Sequence, residues 1–482
     1  MIVTVSLHTP LTIQIETEDG DYLDQIKEHF TRYVPGFQYM PAWKAGNWSG
    51  QVCLIHKFNN TLPYGLLFDL VRIHKKNFPR NRLIIQPEVK SLFKGTNYQL
   101  SSLNLKPYPY QKDCISACFK YTKGIIRSAT ASGKSLVISY IVYTLLNKKK
   151  SKVNRALVVV PTKQLVEQFY KDMIVEYGIP ENLIGRVYQK YKHWDKPITI
   201  STWQSISRNH DKLPNYEVVI MDECHGVKSV ELKKILSKVT RAYYRLGFTG
   251  TLHSDELDNW NTKSYLGPVI REYPSGLLAE EGYISKCSVK MLNIEYQQDE
   301  WEGVYNDVKD EVFVNEYRNE LLKMLVGEID HNVLVLVGKV EKEGEFLYDQ
   351  LSSIPDKEVV FLSGRDDVDL REEWRERCKK ETNIVMIATY GIFTMGLNIP
   401  NLKYLILAAP FKSKIRVLQS IGRSLRKHSN KEKGAIVFDI VDQTKYFGKY
   451  GDIRVRYYDQ EGFDVKDFVF EEGDSIDLKI LL

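Results

Sequence analysis

At the N-terminus apolar positions alternate with polar ones (Val3, Val5, Leu7, then Ile13, Ile15). That is the period of half-buried strands, and it predicts a β-hairpin turning near Thr9-Pro10. Residues 22–33 carry the wider spacing of an amphipathic helix, and residues 66–78 predict a second one ending in His74-Lys75-Lys76. Between them, 37–65 is rich in Gly, Pro and Asn around a short strand at 51–56. These elements make a small α+β domain over residues 1–95, joined by a polar stretch near 94–106 to the rest. The pattern then changes. Short apolar runs at 156–160, 198–202, 218–221 and 244–248 alternate with amphipathic segments. The same alternation restarts after 285, with runs at 332–337, 358–362, 384–388, 404–408 and 435–440. Continuous apolar runs suit strands buried on both faces, and their alternation with helices is the βαβ rhythm of parallel sheets. The expected fold is therefore α/β: two successive parallel-sheet domains, 107–280 and 286–445, with a tail at 446–482.

Composition narrows the class. At 482 residues, 43% hydrophobic and 27% charged, the chain is an ordinary globular protein of several domains. No apolar stretch approaches bilayer-spanning length, and the first residues lack the pattern of a signal peptide. A cytoplasmic protein without a membrane partner is expected. The six cysteines show no disulfide framework, and Cys114 and Cys118 lack a neighbouring ligand pair, so both are read as packed thiols. Net charge is only +6, but it is polarised. Residues 41–94 hold nine Lys/Arg against two acids, whereas 446–482 hold five against nine. A polyanion-facing N-terminal region and an acidic tail open to a protein partner follow as expectations.

The candidate chemistry begins at Ser128-Ala129-Thr130-Ala131-Ser132-Gly133-Lys134-Ser135. A short apolar run precedes this stretch and an apolar, helix-compatible run follows it. A strand, a turn of small residues and a helix start leave backbone N–H groups aimed at one anionic spot. In that arrangement Lys134 reaches the β/γ-phosphates and the Ser135 hydroxyl holds Mg²⁺. Ser128 stands where such loops usually begin with glycine, and a glycine turn capping a helix remains the alternative reading of this segment alone. The second half of the site is Asp222-Glu223-Cys224-His225, delivered by the apolar run at 218–221. Ligands of open α/β sheets collect at the carboxyl ends of strands. Asp222 is placed to hold Mg²⁺, and Glu223 to polarise an attacking water. A solvated acidic pair is the bland alternative.

Taken in order, the motifs resemble those of the superfamily 2 helicases. Tyr108-Pro109-Tyr110-Gln111 precedes the phosphate loop, Pro161-Thr162-Lys163-Gln164-Leu165 and Thr202-Trp203-Gln204-Ser205 each follow a strand, and Asp222 to His225 resembles the DExH box. Thr249-Gly250-Thr251, Ala388-Thr389-Tyr390 with Gly396-Leu397-Asn398-Ile399-Pro400, and Gln419-Ser420-Ile421-Gly422-Arg423-Ser424-Leu425-Arg426 complete the set over about residues 107–440. The resemblance implies paired RecA-like motor domains with ATP and Mg²⁺ in the cleft between them. It implies that Tyr110 and Gln111 contact adenine, and that Thr162, Thr202, Trp203 and Thr389 face the nucleic-acid backbone. His225, Thr249 and Thr251 would couple the ATP and nucleic-acid sites. Gln419, Arg423 and Arg426 would act on the nucleotide, the two arginines as fingers from one helix face. Asn398 replaces the acid usual in that motif.

Gly46-Asn47-Trp48-Ser49-Gly50, Leu62-Pro63-Tyr64-Gly65-Leu66 and Arg416-Val417-Leu418-Gln419 are similar to the UvsW-type recombination and repair helicases of T4-like bacteriophages. That likeness implies branched or forked DNA and RNA–DNA hybrids as substrates, and the host cytoplasm as the site of action. In the N-terminal region Trp43, Trp48 and Tyr64, interleaved with Lys44 and Lys57, are candidates for stacking on bases. Lys75 and Lys76, with Arg72, Arg80 and Arg82, are candidates for phosphates. The alternative places the tryptophans in the core and the charges on a solvated face. The expected function is an ATP-dependent helicase or translocase, with two motor domains in one chain allowing a working monomer. The rivals are a double-stranded DNA translocase that does not separate strands, and a non-catalytic nucleic-acid-binding scaffold.

Overall fold

The computed structural model describes residues 1–148, 153–297, 303–395, 402–424, 434–478 and 481; the side chains of residues 228, 368, 393–395, 423 and 424 lie outside that description. Contacts divide the chain into two units, residues 1–128 with 133–272, and residues 129–132 with 273–482.

In the first unit the alternating N-terminal residues form the predicted hairpin, Ile2–Thr9 antiparallel to Thr12–Glu16. A small sheet grows from it in the order Thr61–Pro63, Thr12–Glu16, Ile2–Thr9, Arg82–Ile85. Val3, Val5, Ile13 and Ile15 are buried against Tyr22 and Ile26 of the helix Gly20–His29 and Leu70 and Ile73 of the helix Leu67–Asn77. Asp19 caps the first of these helices, accepting from the Tyr22 amide at 3.1 Å.

This N-terminal domain packs against the parallel-sheet region of the same unit. Trp260, from the helix Glu256–Leu266, completes its core, and the Tyr64 hydroxyl donates to the Tyr265 carbonyl at 2.6 Å. Gly65 packs so closely that a Cβ there would lie 1.7 Å from the Lys263 carbonyl oxygen. Lys123 is buried, donating to the carbonyls of Leu92 and Tyr243 at 2.9 and 3.2 Å, and burial lowers its pKa to about 7. The N-terminal region and the first parallel sheet therefore share one packed body.

The larger sheet of this unit runs Tyr191–Lys192, Ile184–Tyr188, Ile198–Thr202, Ala156–Val160, Val218–Asp222, Tyr244–Thr249, Lys123–Ser128, Val269–Tyr273. From Ile184–Tyr188 to Lys123–Ser128 every neighbouring pair is parallel. The four strands predicted from apolar runs are buried along their whole length.

The second unit holds a seven-stranded sheet in the order Glu358–Leu362, Ile384–Thr389, Val333–Val337, Tyr404–Leu407, Ala435–Asp442, Cys287–Glu295, Asp464–Glu471, parallel throughout. Two of its strands were not predicted, and one corrects the expectation of a tail. Residues 446–482 contain the helix Gly448–Glu461 and the edge strand Asp464–Glu471. Glu461 is buried, accepting from the amide and hydroxyl of Ser275 at 3.1 and 2.9 Å. The acids of Asp464–Glu471 fall mostly on exposed positions of a half-buried strand, which is why the segment reads as an acidic tail. Among the described residues, buried ion pairs of this unit include Arg318 with Asp442 at 2.8 Å, Arg454 with Asp439 at 2.7 Å, and Lys309 with Glu343.

Candidate active site and nucleic-acid surfaces

The strand Lys123–Ser128 feeds a turn that ends at Gly133, and the helix Lys134–Asn147 starts there with no side-chain cap. Two residues of the turn are left-handed, Ala131 at φ 68° and Gly133 at φ 73°. For Ala131 that conformation costs about 1–2 kcal/mol, a strain typical of ligand-holding loops. Gly133 is required twice over, since a Cβ would also meet the Gln111 Nε2 at 2.5 Å. Ser132 donates its amide to the Ala129 carbonyl at 3.2 Å, and the Lys134 ammonium reaches back to the Ser128 carbonyl at 3.2 Å. An uncapped helix N-terminus behind a lysine is an anion site. Thr130 lies within the same turn.

Gln111 is buried beside this loop, its Oε1 accepting from the Tyr108 amide at 2.9 Å and capping the helix Pro109–Tyr121. Tyr110 is buried too. The exposed ring is Tyr108, 55% accessible and stacked on Tyr110 at 6.2 Å with a 12° interplanar angle. Sequence reasoning selected Tyr110 of this pair, and no feature of the sequence marks Tyr108 as the exposed one.

Asp222 ends its buried strand one sheet position away from the strand Tyr244–Thr249, and Glu223 turns out of the sheet at φ 51°. Burial, then the adjacent Glu223, raises the Asp222 pKa to about 7 against the opposing pull of Lys134 and His225. Its Oδ1 is buried without a hydrogen-bond partner among the described residues. A buried carboxylate that feels the charge of Lys134, the residue next to Ser135, suits a hard divalent cation that prefers oxygen ligands. The residues present therefore fit Mg²⁺. Ser135 Oγ stands 3.0 Å from the Tyr177 hydroxyl.

His225, Thr249 and Thr251 form one network with Glu223. His225 Nδ1 lies 3.0 Å from the Thr249 hydroxyl and 3.3 Å from Glu223 Oε2. The Thr249 hydroxyl is 2.8 Å from the Thr251 carbonyl and accepts from the Thr251 amide at 3.2 Å. His253, absent from the sequence reading, holds the far side through Nε2 at 2.6 Å from the His225 carbonyl. Cys224 is fully buried, and burial pushes its thiol well above the ordinary range, so it is no nucleophile.

Thr162 caps the helix Lys163–Lys171, accepting from the Leu165 amide at 3.3 Å. Thr202 sits in register with Val160 on the next strand, so both threonines reach the sheet edge that carries Asp222. Thr202 is buried with its hydroxyl 3.0 Å from Ser205 Oγ, and Trp203 is half-buried; the exposed side chain of this turn is Gln204.

In the N-terminal region Lys44, Lys75 and Lys76 are exposed, as are Arg72, Arg80 and Arg82. Trp43 is exposed, and Trp48 is half-buried with Nε1 donating to the Gln51 carbonyl at 2.9 Å. Tyr64 is a correction: it is wholly buried and cannot stack on a base. Further exposed or partly exposed rings lie in this region. Tyr33 stacks on Phe37 at 4.7 Å, Phe37 meets Trp43 edge-on at 5.5 Å, and Tyr39 and Phe58 are 81% and 85% accessible.

In the second unit Thr389 is buried at the end of Ile384–Thr389, and Gln419 is half-buried on the helix Lys414–Ser424. The Arg423 side chain, Arg426 and the segment from Gly396 to Pro400 with Asn398 lie outside the described residues.

A phosphate loop, a strand-borne Asp-Glu pair and a hydroxyl network on a parallel sheet define a class, and the chain's matches to known families fall in the same order. Residues 3–79 match the family "DNA helicase UvsW, N-terminal", residues 104–254 "Type III restriction enzyme, res subunit", and residues 316–428 "Helicase conserved C-terminal domain". Together these matches support a superfamily 2 helicase close to UvsW, and the helicase relatives and domains indicate an ATP-dependent nucleic-acid enzyme. It is 24% identical to the ATP-dependent DNA helicase uvsW of Enterobacteria phage T4, covering 95% of this chain and 94% of that one. It is 26% identical to the DNA 3'-5' translocase XPB2 of Sulfurisphaera tokodaii over 69% of this chain and 80% of the relative. The fold matches the crystal structure of T4 UvsW with a TM-score of 0.50 at 23% identity, covering 98% of this chain and all of that one. A putative HsdR subunit of a type I restriction enzyme from Vibrio vulnificus matches at a TM-score of 0.59 and 17% identity, covering 80% and 72%. Among the described residues no helix is long and apolar enough to cross a membrane.

Proposed function

We propose that this helicase uses ATP to remodel branched or forked DNA and RNA–DNA hybrids. The observation that carries the reading is the meeting, in the first unit, of an uncapped helix N-terminus bearing Lys134 and Ser135 with the buried carboxylate of Asp222. In this reading Lys134 and the amides of the loop hold the triphosphate, and Tyr108, Tyr110 and Gln111 hold adenine. Ser135 and Asp222 hold Mg²⁺, which would neutralise phosphate charge and fix the orientation of the triphosphate. Glu223 orients and polarises water. The same carboxylate lies 3.3 Å from His225 Nδ1, within the His225–Thr249–Thr251 network, which is the proposed coupling element, and Thr162, Thr202 and Trp203 are the proposed backbone contacts. From the second unit, Thr389 is proposed as a backbone contact, and Gln419, Arg423 and Arg426 as groups acting on the nucleotide, on their sequence alone.

The preference for branched substrates and hybrids rests on the likeness to UvsW and on the N-terminal surface. Lys44, Lys75 and Lys76 supply salt-sensitive phosphate contacts there, and Trp43, Trp48, Tyr33 and Phe37 supply faces for unpaired bases. Strand separation on a fork and on an RNA–DNA hybrid, set beside displacement of a triplex-forming strand from a plain duplex, tests this directly. The reading expects separation of the fork and the hybrid. Triplex displacement without strand separation would replace it with a duplex translocase.

A further inference from the structure

Nothing in the apolar pattern marks Tyr177, yet its hydroxyl stands 3.0 Å from the Ser135 Oγ. The ring is 7% accessible. It is carried by a helical run that starts at Lys163, passes at Asp172–Glu176 into a π-turn, and ends at Tyr177 itself. Such wide turns are rare and concentrate at functional sites. The backbone around the ring is fixed on several sides. The Tyr177 amide donates to the Asp172 carbonyl at 2.9 Å, its carbonyl accepts from the Asn104 amide at 3.1 Å, and the Ile179 amide donates to the Met173 carbonyl at 2.8 Å. Met173 and Ile179 are buried beneath. Gly178 leaves the turn at φ 74°, and a Cβ there would lie 2.6 Å from Asn104 Oδ1. Ser135 is likewise held in its own helix, its carbonyl accepting from the Ser139 hydroxyl at 2.7 Å.

A serine hydroxyl that binds a cation must present a lone pair to it, and one proton with two lone pairs leaves that orientation to the neighbours. Among the described residues Ser135 Oγ is the hydrogen-bond partner of the buried Tyr177 hydroxyl. With the phenol donating, one lone pair of Ser135 is taken and its proton is left for another acceptor. The remaining lone pair is then available in a fixed direction. We propose that Tyr177 is a positioning residue for the cation-binding hydroxyl of Ser135, orienting it through the 3.0 Å contact between their oxygens. The proposal rests on the reading of Ser135 as a Mg²⁺ ligand.

The test is equilibrium binding of ADP to the full chain by calorimetry, with Mg²⁺ and again with EDTA, so that each variant yields the affinity gained from the cation. Ser135→Ala and Tyr177→Phe are each expected to lose about tenfold or more of that gain, and Tyr177→Phe to keep the wild-type binding in EDTA and unfolding midpoint. The double variant is expected to lose no more than Ser135→Ala, because Tyr177 acts only through the Ser135 hydroxyl. If Ser135→Ala keeps the full gain, the Mg²⁺ reading of Ser135 fails and takes the proposal with it. If Ser135→Ala loses the gain while Tyr177→Phe keeps or increases it, the Ser135 reading stands and the role of Tyr177 is overturned.

Discussion

Asp222 shows how much one buried oxygen can report. Its folded pKa, near 7, lies above the 3.8 of a free carboxyl, because burial and Glu223 disfavour the charge. The native state then holds a proton that the unfolded chain has released, so stability falls as pH rises from about 4 to 7 and stays low above that. A bound cation reverses the penalty. Thermal unfolding should show Asp222→Asn melting several degrees above the nucleotide-free wild type at pH 8 in EDTA, with the difference gone by pH 4. Mg²⁺ with ADP should stabilise the wild type more at pH 8 than at pH 5.5. A pH-independent difference would mean that Asp222 is not the strained group. Lys134 gives a second test at this scale: Lys134→Ala should lower turnover of ATP by about 100-fold or more, as loss of a phosphate-stabilising charge does. At the level of residues the local geometry was readable where type and spacing coincide: Gly133-Lys134-Ser135 opens a helix after a strand, and Asp222-Glu223 ends a strand. It was not readable where the deciding property is exposure. Tyr64 and Tyr108 are both tyrosines beside prolines, yet one is sealed in a core and the other faces solvent.

Elements were legible in proportion to how completely they are buried. Strands such as Ala156–Val160 and Val218–Asp222 are apolar throughout because both faces are covered, and they stand out as runs. Cys287–Glu295 mixes polar with apolar residues and Asp464–Glu471 is mostly exposed, and their place in the sheet is fixed by partners distant in sequence. The same limit hid the docking of the helix Glu256–Leu266, which presents Trp260 to the N-terminal sheet while Lys263 backs onto Gly65. Gly65→Ala should therefore cost on the order of 1–3 kcal/mol or more in chemical denaturation, since the colliding atom is backbone and cannot rotate away. Trp260→Ala should cost about 3–5 kcal/mol for the cavity it leaves. Neither residue touches the phosphate loop, so surviving folded protein should still bind ADP. Wild-type stability for both variants would show that the N-terminal sheet is held by other contacts.

For the whole molecule, the order of motifs along the chain carried more than any single one. A phosphate loop alone fits many nucleotide enzymes; followed by the acidic pair, the hydroxyl motif and a second parallel sheet, it fits a helicase. The tail was misread for the complementary reason, that charge composition says nothing about pairing: Asp464–Glu471 is strand despite its acids. Removing residues 464–482 should expose the flank of Cys287–Glu295 and yield aggregated or partly unfolded second-unit structure by circular dichroism and light scattering. A soluble, fully folded truncation would return the segment to the status of a tail. The central claim is that nucleic acid drives hydrolysis at Glu223. Its most direct test is steady-state ATPase of the wild type and Glu223→Gln, alone and with single-stranded DNA, forked DNA and an RNA–DNA hybrid. The account predicts strong stimulation by the fork and the hybrid that is lost in Glu223→Gln. Turnover indifferent to nucleic acid, or stimulation that survives the substitution, would contradict it.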